Sequence, residues 1–140
     1  MLAVLTAVVA VGVVAPLPAA DAAVRPCSRG TVALTFDDGP RAVTTDRILK
    51  TLANRNVKAT FFVVGSNAAS HPALIRRELR EGHQVGNHTY RHEQLTDLSD
   101  SAIASTLRRT QAAIQRAGAP KPTLFRPPYG ATNKLSLIHI

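Results

Sequence analysis

The chain has no tryptophan, one methionine and a single cysteine, Cys27. One thiol cannot close an internal disulfide, so a disulfide-stapled scaffold is excluded. Lysine and arginine are absent from Met1–Ala23, where Asp21 is the only charge. No Gly-x-Ser-x-Gly occurs, which removes support for a serine hydrolase of that type. Internal repeats and low-complexity stretches are also missing. Basic residues are plentiful but scattered, and the densest group is Arg76-Arg77 with Arg80. Without a basic recognition helix or a basic strand interleaved with aromatics, no nucleic-acid partner is expected.

What is present divides unevenly. All 17 basic residues fall in 24–140 against eight acids, so that part carries +9 where the whole chain carries +8. Residues 1–22 read as a signal peptide: Leu2–Ala15 is apolar, Pro16 and Pro18 break the run, and Ala20-Asp21-Ala22 suits cleavage before Ala23. The segment lacks a basic start, and the competing reading is an N-terminal anchor. Its apolar run is short for a bilayer that needs about 20 residues. The chain is therefore expected to be exported, secreted or cell-wall associated, with a membrane contact only through this segment if it stays uncleaved. A cationic exported body suits an anionic cell wall. Residues 23–29 form a linker.

With 140 residues, 45% hydrophobic and 19% charged, the composition is that of about one globular domain. From Thr31 strand and helix signals alternate. Thr31–Phe36 predicts a strand closed by the turn Asp37-Asp38-Gly39-Pro40, and Thr44–Arg55 a helix capped by Thr44 or Thr45. Lys58–Val64 predicts a second strand, Pro72 starts a helix that Gly82 stops, and His83–Asn87 predicts a third strand. Ser99 caps a long helix to about Ala117, and Thr123–Arg126 predicts a fourth strand ending at Pro127-Pro128. The order β-α-β-α-β-α-β implies an α/β domain with a parallel sheet, open or closed as a barrel.

Functional groups in such domains gather where strands end. Here the ends carry Asp37 and Asp38, then His88 and His92, then Arg126 and Tyr129. Adjacent carboxylates call for a cation to offset them. Two histidines four apart share one face of a helical turn and can converge on one ion. With an aspartate from another strand they make a His₂Asp set for Zn²⁺-like metals, leaving a position open for water. A glycosidase that uses Asp37 and Asp38 is disfavoured, because its two carboxyls need about 5 Å or more between them.

Thr35-Phe36-Asp37-Asp38-Gly39-Pro40, then Gly82–His92 with His88-Thr89-Tyr90-Arg91-His92, then Arg126-Pro127-Pro128-Tyr129-Gly130 resemble three motifs of the polysaccharide deacetylases. These are the NodB-homology carbohydrate esterases. The resemblance covers about 30–132 and implies a partial, distorted (β/α) barrel of NodB-homology type, truncated after about four strands. It implies metal-dependent removal of acetyl groups from an N- or O-acetylated polysaccharide such as peptidoglycan or a chitin-type oligomer. By position, Asp37 matches the catalytic base and Asp38, His88 and His92 the metal ligands. Arg126 matches the arginine that positions the base, and the Tyr129 amide matches the oxyanion donor. The implied cofactor is a divalent metal, Zn²⁺ first, with Co²⁺ or a similar ion in its place.

The family's later motifs, one with aspartate and tryptophan and one Leu-x-His supplying a general acid, have no match in place. Leu137-Ile138-His139 spells the latter too close to Arg126, so His139 is read as coincidence. Residues 133–140 depart from the family and read as a non-native, artefactual tail. The expectation is an incomplete fragment, poorly soluble and with little activity, since such barrels want about 200 residues. The alternative is a non-catalytic metal- or glycan-binding relic.

Overall fold

The structure, a computed structural model, describes Gly30 and residues 32–134. The leader 1–22, the linker 23–29 with Cys27, and residues 135–140 with His139 lie outside the described residues.

Three parallel strands, β1 (Thr35–Gly39), β2 (Thr60–Val63) and β3 (Gln84–Asn87), lie side by side in that order. Helix α1 (Ala42–Arg55) links the first pair. Helices α2 (Gly65–Ser70) and α3 (Pro72–Arg80) link the second, and α4 (Asp100–Arg116) follows β3. β2 is central, and its Phe61, Phe62 and Val63 are buried, the pattern of a parallel strand covered on both faces. Against it pack Leu49 and Leu52 of α1, Ile75 of α3, and Ala113 and Ile114 of α4. The helical spacing of these apolar residues is what turns one stripe of each helix inward.

Several boundaries differ from expectation. β1 begins at Thr35, not Thr31, and runs through both aspartates. Asp37 pairs with Phe62 and Gly39 with Val63, so Asp38 is the extra residue of a bulge, in the left-handed region (φ 66°). The polar pair looked like a turn, but pairing with β2 carries the strand past it. α1 starts at Ala42. Thr45 sits inside the first turn and accepts the Arg41 amide on its hydroxyl at 2.8 Å, so it caps from within. α2 was not anticipated from its Gly-Ser-Asn start. Its first amides find partners outside the helix, Gly65 N donating to the Thr89 carbonyl and Ser66 N to the Tyr90 carbonyl, both at 2.9 Å.

The fourth strand reduces to one bridge, Phe125 beside Asn87. Asn87 N donates to the Leu124 carbonyl at 2.8 Å, and Arg126 N donates to the Asn87 carbonyl at 3.0 Å. Pro122 and Pro127 bracket this stretch and lack the N–H groups that would lengthen the ladder. The Ser99 cap of α4 appears as expected, accepting from Ala102 N.

Candidate active site

The carboxyl ends of β1 and β3 and the segment after Phe125 bring all six expected residues to one open groove. Asp37, Asp38, His88, His92, Arg126 and Tyr129 line it together. Asp38 owes its direction to the bulge, and Asn67 Nδ2 holds its carbonyl at 2.9 Å.

His88 is buried and His92 half-buried. Their Nε2 atoms lie 3.4 and 3.1 Å from the same oxygen, Asp38 Oδ1. The other nitrogen of each ring is occupied. His88 Nδ1 is 2.7 Å from the Arg126 carbonyl, and His92 Nδ1 is 3.2 Å from the Tyr129 hydroxyl. A carbonyl only accepts, so His88 carries its proton on Nδ1 and, when neutral, presents a bare Nε2. Two nitrogens and a carboxylate oxygen, all within 4.8 Å of one another, thus face a common point. A bare imidazole nitrogen and a carboxylate oxygen repel unless a proton or a metal ion joins them, and two imidazoles with one carboxylate suit Zn²⁺ or a similar ion with a position left open. The bonds to the far ring nitrogens are the kind that orient metal-binding histidines.

The two histidines do not share a helical turn. Thr89 (φ 62°) and His92 (φ 63°) are both left-handed, and the loop coils back so that the rings meet edge to face with centroids 5.0 Å apart. Asn87 braces its start: Oδ1 accepts from Thr89 N at 3.0 Å, and Nδ2 donates to the Leu107 carbonyl at 3.0 Å.

Beside this cluster, Arg126 Nη1 donates to Asp37 Oδ1 at 2.8 Å and to Thr35 Oγ1 at 2.9 Å. Its guanidinium lies over the Phe62 ring at 4.2 Å. The arginine is fixed from three sides and in turn fixes one oxygen of Asp37. Tyr129, left-handed at φ 59°, is 70% exposed, and its ring stands edge-on to His92.

Other polar residues sort differently. His83 is buried and accepts the Ala59 amide on Nδ1 at 3.2 Å; burial, with Lys58 nearby, pushes its pKa down. It is a structural histidine, just ahead of β3, and lies apart from the groove. Tyr90, between the two histidines in sequence, packs on the core with Arg109 over its face at 3.9 Å. Sequence reasoning missed Glu93 and Thr106. Burial works to raise the Glu93 carboxyl. Hydrogen bonds from the Arg91 and Glu93 amides and the Thr106 and Thr89 hydroxyls outweigh it and hold the group below its usual range. No local pattern announces this pair, which is 13 residues apart.

The polysaccharide deacetylase family model matches residues 25–138, a longer stretch than the 30–132 that the motifs outline. The peptidoglycan-N-acetylglucosamine deacetylase PgdA of Listeria monocytogenes is 50% identical over 103 residues, which are 74% of this chain and 22% of that protein. A solved family 4 carbohydrate esterase from Streptomyces lividans, in complex with acetate, superposes with a TM-score of 0.75 at 42% identity. It covers 77% of this chain and 56% of its own. A family 4 acetyl xylan esterase from Clostridium thermocellum, in complex with a cobalt ion, gives 0.75 at 40% identity, with 77% and 53% covered. The chain therefore spans 22% of that curated relative and little more than half of the solved chains.

Proposed function

Because this chain belongs to the polysaccharide deacetylase family, we propose that its site removes acetyl groups from an acetylated polysaccharide, with a divalent metal held by Asp38, His88 and His92. The observation that carries this is the meeting of those three side chains within 4.8 Å beside the Asp37–Arg126 ion pair. A bound divalent ion would supply Lewis acidity, which acidifies water and polarises a carbonyl. Asp37 is the general base that takes the proton of the attacking water. Arg126 occupies one of its oxygens, which leaves the other for that proton. The Tyr129 amide is the donor for the oxyanion, a contribution of about 3 kcal/mol in comparable sites. Zn²⁺ is the proposed metal, and the cobalt complex of the xylan esterase is consistent with an ion of that class.

The substrate is proposed to be a cell-wall glycan of the peptidoglycan or chitin type. The leader-like residues 1–22 and the excess of basic residues after them support action outside the cell, against an anionic wall. The groove is open, with Asp38 56% exposed, so few contacts hold a glycan and slow turnover is expected of the 140-residue chain alone. The test is acetate release from N-acetylated glycan by a chimera in which the remainder of the Streptomyces lividans domain follows Ala131. Metal-dependent release that Asp37→Asn abolishes supports the proposal. A chimera that folds and binds metal yet frees no acetate overturns it in favour of the binding relic.

A further inference from the structure

Thr89 and His92 hold left-handed backbone although each carries a branched or aromatic side chain. Such backbone persists in a non-glycine residue only where its surroundings over-determine it. The surroundings here include a relay to α4. Tyr90 N donates to Thr106 Oγ1 at 2.8 Å. A hydroxyl has one hydrogen, and Thr106 gives it to Glu93 Oε2 at 2.9 Å. The same carboxylate oxygen accepts from Arg91 N at 2.8 Å, and Glu93 N donates to Thr89 Oγ1 at 3.1 Å. The bonds close a ring that runs from loop amide to helix hydroxyl to loop carboxylate and back. Thr106 is 4% exposed, so water cannot readily replace it. Neither residue contributes a ligand atom to the Asp38–His88–His92 cluster.

Resting on the metal-site reading above, we propose that Glu93 and Thr106 are positioning residues that lock the histidine loop to α4 and set its two imidazoles for metal binding. Removing the Thr106 hydroxyl strands the Tyr90 amide and at once takes from the Glu93 carboxylate its bond to α4, leaving it only the loop's own donors. The loop can then relax toward ordinary backbone, and His92 leaves its place opposite His88 and Asp38.

Co²⁺ alone, titrated into the 140-residue chain, reads this out as an affinity and as a visible absorption spectrum that reports ligand geometry. Thr106→Val and Glu93→Leu are each expected to weaken Co²⁺ binding about 10- to 100-fold and to alter the spectrum. Thr106→Ser and Glu93→Gln are expected to return affinity to within about threefold of the parent, since the amide oxygen can accept both bonds that Oε2 receives. Because both disruptive changes cut one relay, the double variant should lose little more than either alone. Thermal unfolding of the metal-free proteins is measured alongside. Variants that lose stability but keep the parent's Co²⁺ affinity and spectrum overturn the proposal, for the bonds are then structural only. A parent that binds no Co²⁺ overturns the metal-site reading and the clamp with it, whereas a binding parent with unchanged variants overturns the clamp alone.

Discussion

Glu78 lies on α3 with none of its surface exposed, and neither carboxyl oxygen has a hydrogen-bond partner among the described residues. Burial alone pushes its pKa from 4.5 up to about 8. Between those two pH values the unfolded chain has released this proton and the folded chain has kept it. Stability therefore falls as pH rises, by about 1.4 kcal/mol per unit, from pH 4.5 until the folded pKa is passed. From pH 4.5 to 7 the loss is about 3 kcal/mol, and across the whole window about 5 kcal/mol. That is a large share of the 5–15 kcal/mol typical of a domain.

Glu78→Met replaces the acid with an unbranched apolar side chain of similar length. At pH 4.5 it should already stabilise by about 1–3 kcal/mol, because the protonated acid is buried without partners. By pH 7 the advantage should grow by about a further 3 kcal/mol and then level off above pH 8. Urea unfolding followed by circular dichroism, in half-unit steps from pH 4.5 to 8.5, measures the difference between the two proteins. Titration of every other group cancels in that difference. A chelator is present throughout, since metal binding would add its own pH-dependent stabilisation. A difference that stays flat across the window would refute the reasoning, because Glu78 would then be ionised in the folded chain.

Three more outcomes follow from the geometry. Asp38→Asn and His88→Ala should each weaken Zn²⁺ binding at least about 100-fold by calorimetry, as each removes one of three converging donors; affinity equal to the parent's would refute the ligand set. Arg126→Lys, made in the active chimera, should cut kcat about 100-fold while leaving Zn²⁺ affinity within about threefold. A lysine ammonium could donate to both Asp37 and Thr35, but it lacks the planar guanidinium that lies over the Phe62 ring and so is not held in place beside Asp37, whereas the carbonyl that holds His88 is unchanged; an unaltered kcat would remove Arg126 from the mechanism. Gly65→Ala should cost about 2–3 kcal/mol in urea unfolding. A Cβ there would lie 2.6 Å from Tyr90 Cδ2 and 2.9 Å from the Thr110 backbone, which cannot swing aside; an unchanged midpoint would refute the close contact of α2 with α4.

Much of the site was legible because chemistry restricts it. Metal donors and bases come from few residue types, and in a parallel α/β domain they must project from strand ends. Asp37, Asp38, His88 and His92 met those conditions, Arg126 and Tyr129 came from their place after the fourth strand and from the family resemblance, and the structure brings all six to one groove. The backbone that presents them was less legible. An Asp-Asp-Gly-Pro run satisfies a turn as readily as a bulged strand end, and only pairing with Phe62 and Val63 decides between them. Histidines four apart fit a helical turn, yet two left-handed residues achieve the same convergence by another path. Glu78 was passed over because a charged residue is ordinarily turned to solvent, although three residues beyond Ile75 it shares that residue's buried face. Thr106 and Glu93 lie beyond local reasoning altogether. Any buried donor and acceptor at the right distance could hold the loop, so their residue types carry no signature. Side chains whose proposed role restricts their type are thus readable from type and spacing. Those that orient them are defined by where they meet, and the Co²⁺ spectra of the Thr106 and Glu93 variants are the measurement on which that distinction rests here.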